Sequence, residues 1–132
     1  MKLDQIREIL EAEVITGEEY LSREVLVACA SDLMSDVLAY GQTNSILLTG
    51  LATAQVVYTV EMAGNQAVCF VRGKRPLEDA VRLAEEKGFV LLGTHLAMFE
   101  SCGRLYLKGL KGSFSPLSMK ARKPEKRRRR PA

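Results

Sequence analysis

Two uninterrupted apolar runs, Ala67-Val68-Cys69-Phe70-Val71 and Phe89-Val90-Leu91-Leu92, bracket one amphipathic segment. A strand with one face in water alternates apolar and polar residues. One that is apolar at every position has to be covered on both faces, which is the habit of parallel sheets with helices on either side. Between the runs, Leu77, Ala80, Val81 and Ala84 follow the i, i+3, i+4, i+7 spacing of a helix with one buried face, while Glu78, Asp79, Arg82, Glu85 and Glu86 fall on the other side. The spacing predicts a helix over about 76–87, with Pro76 at its first position and Gly88 as a left-handed cap.

The same alternation extends upstream. Ser45-Ile46-Leu47-Leu48-Thr49 reads as a further buried strand, followed by a helix near 53–63 that buries Val56, Val57, Val60 and Ala63 before Gly64-Asn65 turns the chain. Val25 to Ala30 reads as a fourth strand, after which Ser31 or Asp32 caps a helix carrying Leu33, Met34, Val37 and Leu38. Leu3, Ile6, Ile9 and Leu10 mark a short N-terminal helix, residues 12–17 an edge strand, and a last helix spans about 96–108 and ends at Gly109. The expected fold class is α/β, a three-layer α/β/α sandwich with a mostly parallel sheet of about five strands.

A chain of 132 residues supports about one hydrophobic core. No run of about 18 uncharged apolar residues exists, and the opening MKLDQIREIL carries charge where a signal peptide needs an apolar segment, so a cytoplasmic protein without membrane contact is expected. Cys29, Cys69 and Cys102 are odd in number and sit in apolar surroundings, which suits reduced core thiols. Charge is unevenly placed. Residues 111–132 hold nine basic side chains and one acid (+8), leaving ten basic and fifteen acidic over residues 1–110 (−5). The reading is an α/β domain over 1–110 and a basic, disordered tail over 111–132.

No phosphate-binding G-x-x-x-x-G-K-S/T or G-x-G-x-x-G follows any strand, and no catalytic serine or cysteine signature accompanies His95, the single histidine. These gaps argue against an enzyme, a metal site and a cofactor. Ligands of open α/β sheets meet the carboxyl ends of the strands. Those ends here carry Ser31, Asp32, Thr49, Gly50, Arg72, Gly73, Lys74, Thr94 and His95. In Arg72-Gly73-Lys74-Arg75-Pro76, loop amides and cations suit a small anionic molecule. The last helix is apolar around more than one face, so Met98, Phe99, Cys102, Leu105 and Tyr106 are candidates for the contact between two copies of the chain.

Residues 1 to about 110 also resemble a DRTGG domain, a bacterial regulatory module found beside CBS domains and similar in fold to the N-terminal domain of HPr kinase/phosphorylase. The likeness rests on Ser31-Asp32-Leu33-Met34-Ser35-Asp36-Val37-Leu38, Leu48-Thr49-Gly50-Leu51, Glu61-Met62-Ala63, Phe70-Val71-Arg72-Gly73-Lys74-Arg75-Pro76 and residues 98–106. The namesake motif is only partly kept: Gly50-Leu51 stands where Asp-Arg would, and Gly73 alone remains of Thr-Gly-Gly. The resemblance implies a stand-alone, non-catalytic regulatory or scaffold domain that forms a homodimer, senses an anionic metabolite or nucleotide, and acts on another regulatory protein. A competing expectation is a nucleic-acid-associated protein whose tail neutralises phosphates without reading sequence.

Overall fold

The structure is a computed structural model that describes residues 1–113, save the side chain of Tyr40. Six strands, β1 (Glu13–Thr16), β2 (Val27–Ala30), β3 (Ser45–Thr49), β4 (Ala67–Phe70), β5 (Val90–Gly93) and β6 (Lys111–Gly112), form one sheet in the order β1-β5-β4-β3-β2-β6. Every pairing is parallel except that of β1 with β5. Five helices join them: α1 (Leu3–Ile9), α2 (Met34–Tyr40), α3 (Ala54–Ala63), α4 (Glu78–Lys87) and α5 (Met98–Leu107).

The continuous apolar runs are explained by where their side chains go. Ile46, Leu48, Ala67, Cys69, Val90 and Leu92 join Leu3, Ile6, Leu10, Leu105 and Leu110 in one core. Leu47, Val68, Phe70 and Leu91 point the other way, into a second core with Val37, Val56, Val57, Val60, Ala80 and Ala84. Alternate residues of each strand thus feed opposite cores. Helices α2, α3 and α4 pack side by side on one face, and α1 and α5 take the other. The sandwich is α/β/α, as the sequence predicts.

Three details differ. Helix α4 begins at Glu78 with Leu77 as its N-cap, so Pro76 lies before the helix. The Leu77 N–H is held by the Ala52 carbonyl at 2.9 Å, which fixes that residue as extended backbone. Asp32 does not cap α2, whose N-cap is Leu33 with no side-chain bond. Past residue 110, where the sequence pattern stops, Lys111 and Gly112 pair with Val27 and Ala28 as a sixth strand. The remainder of the basic tail, 114–132, falls outside the described residues.

Burial keeps the cysteines apart from the surface chemistry. Cys29 and Cys69 are buried free thiols and Cys102 is half-buried. Burial alone pushes Cys69 up to about 12. Among the described residues no helix is long and apolar enough to cross a membrane, and no cluster of three His, Cys, Asp or Glu side chains could hold a metal ion.

Candidate functional site

Strand order decides how the strand ends are arranged. The central strands run β5-β4-β3-β2 without reversal, and their three crossovers all lie on one face. The crevice that usually takes a ligand forms where successive crossovers part to opposite faces. No such parting occurs between β2 and β5. Here the strand ends close on one another instead.

Asp32, Thr49 and Gly50 illustrate this. Asp32 Oδ1 accepts hydrogen bonds from the Thr49 hydroxyl at 2.9 Å and the Gly50 N–H at 2.7 Å, and Thr49 Oγ1 accepts one from the Leu51 N–H at 3.1 Å. The Gly50 N–H holds the Asp32 carboxyl below its ordinary range; partial burial works against it, and the Thr49 hydroxyl and the charges of Arg72 and Lys74 add to the lowering. The Arg72 guanidinium lies close over Gly50, where a Cβ would meet its Nη2 at 2.8 Å and push that flexible side chain aside. The carboxylate therefore ties the end of β2 to the end of β3, with the Arg72 guanidinium lying over the join. Ser31 is spent locally, accepting from the Leu33 N–H at 3.0 Å.

The loop after β4 is a tight turn. Arg72 and Gly73 sit at φ 57° and 69°, and the Lys74 N–H bonds the Val71 carbonyl at 3.1 Å, closing a four-residue turn of the type I′ pattern. A left-handed backbone is costly for arginine and free for glycine. The Arg72 N–H donates to the Leu96 carbonyl at 2.7 Å and the Gly73 N–H to the Thr94 carbonyl at 2.9 Å. This corrects one sequence expectation: the two amides at the heart of the loop face protein carbonyls and do not form a cradle for an anion. Thr94 is likewise occupied, its buried hydroxyl donating to Leu10 O at 2.6 Å and accepting from the Leu96 N–H at 3.2 Å.

Lys74, Arg75 and His95 instead border a separate crevice of about 270 Å³ that also holds Glu11 and Glu13. Arg75 pairs with Glu13. Glu11 receives Arg104 Nη1 at 2.9 Å and lies 3.9 Å from His95 Nε2; the hydrogen bond from Arg104, then its charge, lowers the Glu11 carboxyl below its ordinary range. Glu11 and Glu13 carry no motif in the sequence and are brought there by the antiparallel return of β1 beside β5, while Arg104 reaches Glu11 from α5. The sequence-predicted strand-end residues thus divide into two groups, Asp32-Thr49-Gly50-Arg72 and Lys74-Thr94-His95, with Ser31 outside both and Gly73 serving the turn between.

The residues expected at a partner contact divide as well. Leu105 is 2% exposed and belongs to the core, while Met98 and Cys102 are half-buried against it. Leu105 is therefore withdrawn from the contact surface. Phe99 and Leu107, each 87% exposed, and Tyr106 form the outer stripe of α5, and a Cβ at Gly103 between them would meet nothing within 4 Å.

The class defined by this geometry is a three-layer α/β module with internally paired strand ends and a bare apolar stripe on α5. A solved structure, the CBS and DRTGG domains of the regulatory region of Clostridium perfringens pyrophosphatase complexed with the activator diadenosine tetraphosphate, matches it at a TM-score of 0.67 and 17% identity, over 86% of this chain and 49% of that one. The chain thus spans about half the length of that neighbour, and the DRTGG-like fold read from the sequence is confirmed. No family model matches the chain, and no curated protein does.

Proposed function

We propose that the chain is a non-catalytic regulatory or scaffold module of the DRTGG type, which works as a homodimer through the outer stripe of α5. The observation that carries this reading is the exposure of Phe99, Tyr106 and Leu107 together on one helix whose inner face is already packed. Contiguous apolar surface of this kind marks interaction sites. The neighbour's own place in a regulatory region supports a role in regulation rather than reaction. An anionic metabolite or nucleotide meeting the strand ends would be held by the side chains of Arg72, Lys74 and His95, since the loop amides are spent.

Sedimentation equilibrium tests the central claim. Wild type should be dimeric at tens of micromolar, and Phe99→Glu or Leu107→Glu should give a folded monomer. A monomeric wild type would refute it. The second reading, nucleic-acid association, is favoured by the +8 charge of residues 111–132. It expects retention on a polyanion column that falls steeply with salt and disappears when the five basic residues of 126–130 are replaced by Ser.

A further inference from the structure

Three helices cover one face of the sheet but only two cover the other, and the shortfall falls at the β2–β6 edge. There a cavity of about 370 Å³ opens between α5 and the strands, with Ala28, Leu48, Cys102, Leu105 and Leu110 among its apolar walls. That volume lies within the range of roughly 300–1,000 Å³ typical of small-molecule sites. Two polar groups interrupt the apolar lining. Ser113 is 1% exposed, and its Oγ meets the weakly bonding Cys29 thiol but no nitrogen or oxygen partner among the described residues. Lys111 also lines the cavity, with Nζ held 4.8 Å from the centroid of the Tyr106 ring, and no carboxylate is among the described residues of the walls.

We infer that this cavity binds a small amphipathic anion, an aromatic or branched carboxylic acid, with its apolar body between α5 and β2 and its carboxylate at Lys111. The chemistry of the walls selects that class. An inorganic anion would gain nothing from Leu48, Leu105 and Leu110, and a cation would meet Lys111 with no acid to offset it. Among the described residues the buried Ser113 hydroxyl has only the Cys29 thiol, a weak partner, beside it, so it can also bond a polar substituent on the ligand. Phe99 and Leu107 are not among the walls. Tyr106 borders both the cavity and the outer stripe of α5, so the two surfaces adjoin, but the cavity does not depend on the dimer reading.

The test uses the full chain, isotopically labelled for amide spectra and titrated with 4-phenylbutyrate and, in parallel, with 4-phenylbutan-1-ol. Shifts should centre on Ala28, Ala30, Lys111 and Gly112. The acid should bind about three- to fivefold more tightly than the alcohol, the worth of one exposed charge contact, and Lys111→Gln should erase that difference. Cys102→Phe should abolish binding of both. Ala30→Phe, at an exposed position on the rim, should do the same without touching the core. The inference is overturned by shifts centred on Phe99 and Leu107, by equal affinity for acid and alcohol, by binding that survives both occluding substitutions, or by no shift at millimolar ligand.

Discussion

The ends of β2, β3 and β4 and the outer face of α5 both looked like places where something binds, and the fold treats them in opposite ways. At the strand ends, polar groups that suit a ligand are already partnered: Asp32 with Thr49 and Gly50, Thr94 with Leu10 and Leu96, the Arg72 and Gly73 amides with carbonyls. On α5, Phe99 and Leu107 have no partner among the described residues that removes them from water. Capping groups at the end of a strand have two employments, closing the fold or holding a ligand, and residue type does not separate them. Spare apolar surface has one employment, to be covered.

The largest expected effect tests the two sides of α5 against each other. Leu105→Glu places a carboxylate in the core beside Leu3 and Leu110 and should cost more than about 3 kcal/mol, enough to unfold a marginal domain. Phe99→Glu should leave the monomer's unfolding free energy, measured in urea, within about 0.5 kcal/mol of wild type. If both unfold the chain, the outer stripe is not a surface and the contrast collapses.

Next is the turn after β4. Gly73→Val forces a β-branched residue into φ 69°, and although nothing crowds a Cβ there, the backbone strain should cost about 1–3 kcal/mol in thermal or urea unfolding. Arg72→Gly does the reverse at φ 57°. It should be neutral or stabilising by up to about 1 kcal/mol, because it relieves strain while breaking no ion pair of the guanidinium among the described residues. An Arg72→Gly protein much less stable than wild type would mean that the guanidinium over Gly50 holds the strand ends together more strongly than its geometry implies.

These two predictions also mark what the sequence could and could not reveal. The strands Ser45–Thr49 and Ala67–Phe70 were legible because a run such as Leu47-Leu48 cannot hide one face from water without two helix layers. The sixth strand was not, since Lys111-Gly112 is two residues long and its place is set by the backbone of β2 rather than by any apolar pattern of its own. The candidate site was half legible. Asp32, Thr49 and Gly50 were named together, but that they bond to one another depends on the unreversed strand order, a property of the whole sheet. Leu105 and Phe99 lie on one apolar helix, and composition alone does not say which turns inward.

A third prediction weighs how firmly the strand ends are closed. Asp32→Asn keeps one acceptor and loses the charge, and should cost about 1 kcal/mol. The pH dependence follows from the sign of the shift. Asp32 is depressed in the fold, so its contribution is present above the unfolded carboxyl pKa of about 3.9 and is lost as pH falls through the lower folded value. Acid unfolding of Asp32→Asn should lack that part of the decline. A parallel shift of the entire profile would mean that the carboxylate gains no special stability from Thr49 and Gly50.

The smallest effect is expected from Arg75, and its smallness is informative. Arg75 and Glu13 form an ion pair across the second crevice, joining the loop after β4 to edge strand β1, yet both side chains are more than half exposed. Water screens such a pair and two long side chains must be held still to make it, so double-mutant cycles at exposed sites give about 0.2–1 kcal/mol, and less as salt rises. An Arg75→Ala and Glu13→Gln cycle, followed by urea unfolding, should return a coupling in that range at low salt and about zero at 0.5 M. A larger, salt-insensitive coupling would require the pair to be sheltered, and the nearest shelter available is a second molecule lying over the crevice. In that event the partner surface would extend from α5 to the strand ends, and the contrast between a closed polar edge and an open apolar helix would have to be redrawn.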